Sequence, residues 1–81
     1  MVEFTGEPLE VKIGDIVIET STQLIKPVTY YWVIYKAQEE PGYGNTKRGY
    51  YAFSLADEND KIGPMVFRDN EFWEYKVIHY D

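Results

Sequence analysis

The chain has 81 residues, which bounds it to one domain, residues 1–81, with one modest core. With 44% apolar and 27% charged residues it has the composition of a globular domain. The absence of cysteine removes disulfides, thiolate metal sites and thiol nucleophiles together. Fourteen acids against eight bases give a net charge of −6, whose far field repels nucleic acid and anionic lipid.

Val, Ile, Thr and the aromatics supply 33 residues, whereas Ala and Leu supply three each. β-branched and aromatic side chains fit a pleated surface, so strands are expected throughout. Residues 1–10 carry Gly6 and Pro8 among acids and read as an arm or a first edge segment. The opening MVEFTGEPLE has no apolar run of the signal-peptide kind. The longest clean apolar stretch, residues 30–35, is far shorter than a membrane span, and a soluble, cytoplasmic chain is expected. Across residues 11–20 an apolar alternation breaks at Gly14-Asp15, predicting a strand with a bulge or bend. Residues 20–27 form a loop, with room for one helical turn before Pro27.

Residues 28–38 make the strongest strand. One face carries Val28, Tyr30, Trp32 and Ile34; the other carries Thr29, Tyr31, Val33, Tyr35 and Ala37. Both faces are largely apolar, so the strand is central or its second face binds something. Residues 39–49, with Pro41 and three glycines, are a loop. Residues 49–56 form a strand, residues 57–63 a polar hairpin connection, and residues 64–68 a short strand. Residues 69–70 turn the chain into residues 71–80, where Trp73, Tyr75 and Val77 alternate with Glu74 and Lys76. That period of two predicts a strand over the rival helix capped by Asn70.

These elements predict an all-β fold: a single small five-stranded antiparallel SH3-like barrel or a strongly bent meander, with an OB-like barrel as runner-up. Residues 11–17, Val-Lys-Ile-Gly-Asp-Ile-Val, resemble the x-Gly-Asp-x-Val opening strand of the SH3-like small β-barrel superfamily, including its KOW type. The chain lacks both the Gly-rich KOW continuation and the ALYDY-type signature of the peptide-binding domains. The resemblance therefore implies a fold and hands over no function.

Catalytic motifs are missing, and no enzyme is expected. The lone His79 has no nucleophile assigned to it; Ser21 and Ser54 lie outside any nucleophile elbow. Counted as a calcium loop from Asp57, the chain offers Lys61, Ile62 and Arg68 where a ligand, a glycine and an acid are needed. Residues 42–47 miss the phosphate-loop spacing. No cofactor and no metal are expected.

Aromatic content is the anomaly: eight Tyr, two Trp and four Phe make 17% of the chain. Tyrosine is enriched at interfaces because it offers a large rigid area with a polar tip. Tyr30, Tyr31, Tyr35, Tyr43 and Tyr50, with Lys47 and Arg48, are the candidate binding residues. Glu39, Glu40, Asp57, Glu58 and Asp60 are a candidate acidic face. The first functional expectation is a non-enzymatic protein-binding module that docks a basic or proline-rich partner, or acts as an inhibitor. The alternatives are single-stranded nucleic-acid binding by Tyr43, Tyr50 and Tyr51 beside Lys47 and Arg48, and a homo-oligomeric structural component joined through strand edges.

Overall fold

The structure is a computed structural model that describes residues 3–39 and 48–80, with Glu39 and Arg48 described by their backbone alone. The fold is all-β: β1 (Ile16–Ser21), β2 (Thr29–Glu39), β3 (Arg48–Ser54), β4 (Lys61–Met65) and β5 (Trp73–Ile78). All five lie antiparallel in one sheet of order β4-β3-β2-β1-β5. The first four strands meander, and β5 returns to the free side of β1. The sheet stays open, with β4 and β5 as its edges, so no barrel is closed.

β1 begins only at Ile16, because the chain turns before it. Gly14 sits at φ +97° and the Asp15 N–H closes onto the Lys12 carbonyl (3.0 Å). The predicted strand over 11–20 is thus a turn followed by a strand. Thr22 to Lys26 form bends without the helical turn allowed for by the sequence. β5 is a strand, as its alternation predicts, and Asn70 makes cap-like bonds ahead of a strand in place of a helix. Its Oδ1 accepts the N–H groups of Phe72 (2.8 Å) and Trp73 (2.9 Å).

The fourth strand is displaced from its expected place at residues 64–68. Lys61 and Ile62 already pair with Phe53 and Ala52, so the polar connection ends at Asp60. Gly63, expected as the last residue of the polar connection, lies inside the strand at φ +132°. A Cβ there would stand 2.7 Å from the Tyr50 carbonyl oxygen, so close approach of β4 to β3 requires glycine.

The core lies on one face of the sheet. Val17, Trp32, Ile34 and Ala52 are buried from the strands, and Val11 and Phe67 cover them from outside the sheet. Residues 7–9 and 67–69 are strapped together by Leu9 N–H to the Phe67 carbonyl (2.8 Å) and Asp69 N–H to the Glu7 carbonyl (3.1 Å). This strap carries Leu9 and Phe67 onto the inner face. Burying each large apolar side chain there contributes about 1.5–3 kcal/mol.

Candidate interaction surface

Directly opposite residues of a sheet share a face, so the registers assemble the outer surface row by row. Ile78 faces Ile16, Ile16 faces Val33, Val33 faces Phe53, and Phe53 faces Lys61. An almost wholly apolar row therefore crosses all five strands on the side away from the core. Beside it Lys76 faces Ile18 and Ile18 faces Tyr31, whose carbonyl accepts the Leu55 N–H (2.9 Å). Tyr31 is 47% exposed and Leu55 56%.

A β-bulge between Ile34 and Lys36 shapes one corner of this face. It brings Tyr35 and Lys36 together over β3. The Tyr35 ring lies 5.8 Å from Phe53 and 6.1 Å from Tyr51. The Lys36 ammonium stands 5.0 Å from the centre of the Tyr51 ring, and that of Lys61 5.6 Å from Tyr35. Next to these rings a cleft of about 410 Å³ is lined by Tyr35, Phe53, Glu58, Asn59 and Lys61.

The sheet separates the residues singled out from sequence. Tyr31 and Tyr35 stand on the outer face. Tyr30 lies on the inner side, stacked on Trp32 at 5.7 Å and 6.1 Å from Trp73. Tyr50 is half-buried against the core, between Ala37 and Met65. Asp57, Glu58 and Asp60 gather on the exposed β3–β4 turn, where Asp57 holds the turn through the N–H groups of Asn59 and Asp60 (both 2.9 Å). Backbone pairing sets Glu39 opposite Arg48. Glu40, Tyr43 and Lys47 lie outside the described residues. Ile16, Ile18, Val33, Phe53, Leu55 and Ile78 were not singled out, although the two apolar faces of residues 28–38 were the signal for them.

Two carboxylates tie the inner side together. Glu19 accepts the Tyr75 hydroxyl (2.9 Å) and the Trp32 indole N–H (3.3 Å), joining β5 and β2 through β1. Burial, reinforced by the Glu19 charge and hydrogen bond, pushes the Tyr75 hydroxyl well above its ordinary value. Asp15, only 1% exposed, accepts the N–H groups of Lys12 (2.9 Å) and Tyr80 (3.0 Å) and pairs with His79 Nδ1 (2.8 Å). Burial alone would raise its pKa. The Tyr80 and Lys12 N–H groups, then the hydrogen bond and charge of His79, outweigh burial and hold it below the ordinary value.

An Asp–His pair is the orienting half of a catalytic triad, but among the described residues no hydroxyl hydrogen-bonds His79. Nor do the described residues hold a group of three or more His, Cys, Asp or Glu able to bind a metal ion. No described helix is long and apolar enough to cross a membrane. Comparison of the chain with family models, curated proteins and solved structures finds no match.

Proposed function

We propose that this chain is a non-enzymatic protein-binding module whose partner docks on the outer face of the sheet. The observation that carries the reading is the row that is apolar through β5, β1, β2 and β3 and ends in Lys61 on β4, on the side that neither the strap nor the core covers. Tyr31 and Tyr35 are its anchors, rigid rings that desolvate well at an interface. In the cleft beside Tyr35 and Phe53, Glu58 supplies a carboxylate beside Lys61, and Asp57 and Asp60 lie on the same turn as Glu58. Rings beside carboxylates suit a basic or proline-rich segment of a partner. A kinship with SH3-like barrels is supported by Gly14-Asp15 ahead of β1 and by the return of β5 to its side.

The test is capture from host lysate after nuclease treatment, with the wild type beside Tyr31→Ser/Tyr35→Ser. Retention of one defined protein by the wild type, lost in the variant at unchanged stability, supports the module. Equal retention by both places the interaction elsewhere and rejects the outer face. A second reading, single-stranded nucleic acid, draws support from the lysines over the Tyr35 and Tyr51 rings and is opposed by the net charge of −6. It requires retention of nucleic acid alone, fading steeply with salt.

A further inference from the structure

The two edges of the sheet differ in what they offer another strand. β4 contains Pro64, which has no N–H to donate, and such residues blunt an edge. β5 contains neither proline nor glycine. In its ladder with β1, the Thr22 N–H donates to the directly opposite Phe72 carbonyl (3.0 Å). Antiparallel pairs alternate, so Phe72, Glu74, Lys76 and Ile78 bond inward to β1. Trp73, Tyr75 and Val77 therefore aim their main-chain groups outward. The Trp73 N–H is taken by Asn70. Among the described residues, the outward groups of Tyr75 and Val77 have no main-chain partner.

We propose that β5 pairs antiparallel with β5 of a second copy, about a two-fold axis at Tyr75, to make one continuous sheet. The side-chain sequence of β5 selects the occupant and the register. Outward-bonding residues must oppose outward-bonding residues, which leaves registers two residues apart. With Tyr75 opposite its own copy, Glu74 faces Lys76 of the second copy and Lys76 faces its Glu74. Sliding two residues either way places Glu74 opposite Glu74 or Lys76 opposite Lys76, and like charges directly opposite repel. In the favoured register Phe72 also meets Ile78 of the second copy. These two are 57% and 51% exposed in the single chain. The interface is isologous and closes on itself, so it yields a dimer and no fibre.

Sedimentation velocity over a concentration series tests this with the full chain, Glu74→Lys, Lys76→Glu and the double exchange E74K/K76E. The wild type is expected to rise to twice its 9.6 kDa mass. Each single reversal sets like charges opposite and weakens the dimer at least about tenfold, and the double exchange restores it. Both side chains altered, Glu74 and Lys76, are exposed, and circular dichroism checks that the fold persists. A wild type that stays monomeric up to about 1 mM overturns the proposal. So does a dimer indifferent to the single reversals, or one that the double exchange fails to restore. Tyr35→Ser leaves this dimer intact, so failure here and failure of the outer-face reading are told apart.

Discussion

Both faces of the sheet carry apolar side chains, and their fates are opposite. On the inner face Trp32 and Ile34 meet the small Ala52 and Ser54 of β3, and Phe67 from the strap packs there with Val11. On the outer face the same strands set Val33 and Tyr35 against Phe53 and Tyr51, large beside large, and among the described residues no segment is laid over them. Burial here falls on the face that the strap reaches, which is also the more apolar of the two. The inner face also carries the two carboxylate ties, Glu19 and Asp15, each with its acceptors matched to donors. The outer face has cations over rings instead, an arrangement that remains open to a partner.

Truncations should divide along the same line. Phe67→Ala empties the centre of the inner face and is expected to cost about 4 kcal/mol in urea unfolding. Asp15→Ala leaves the Lys12 and Tyr80 N–H groups without their acceptor, an expected loss of about 3 kcal/mol by the same measurement. Glu19→Gln keeps the shape and weakens the bonds to Tyr75 and Trp32, an expected loss of about 1 kcal/mol. On the outer face, Tyr31→Ser should stay within about 0.5 kcal/mol of wild type. A cost there comparable to Phe67→Ala would mean that the two faces do not differ as described.

The pH dependence sharpens the contrast, since both shifted groups belong to the inner ties. Asp15 has a lowered native pKa, so its contribution is fully present above the ordinary value of 3.8 and is lost as pH falls through the native one. Asp15→Asn should therefore flatten the acid limb of a stability–pH profile. Tyr75 is shifted upward, so its contribution is full below 10.0 and is lost as pH rises beyond that. Tyr75→Phe should flatten the alkaline limb, and an unchanged limb in either variant would deny that tie its role.

Alternation in the sequence was enough to place β2, β3 and β5, because period-two patterns survive without tertiary knowledge. It put the fourth strand three residues late, at 64–68, since Gly63 reads locally as part of the connection and only its close approach to Tyr50 makes it part of a strand. It could not find the bulge at Tyr35, which depends on register with Tyr51 and not on residue type. For the candidate surface, Tyr31 and Tyr35 were legible as exposed rings on a two-faced strand. Tyr30 and Tyr50 were grouped with them although they occupy the other side. The row itself became visible only when the four registers were lined up, since each strand contributes a single residue to it.

Asp15 draws its Tyr80 partner from 65 residues along the chain. During synthesis β1 emerges early and keeps one side unpaired until β5 follows it, and Asp15 waits just as long for its last donor. The meander β1–β4 can form as the chain grows, but the inner face is sealed only after the final strand arrives. Loop closure over so many residues is slow compared with hairpin formation. A nascent chain halted before Trp73 would thus display the β1 edge and an unmatched carboxylate together, a state for chaperones to shield rather than a smaller native domain.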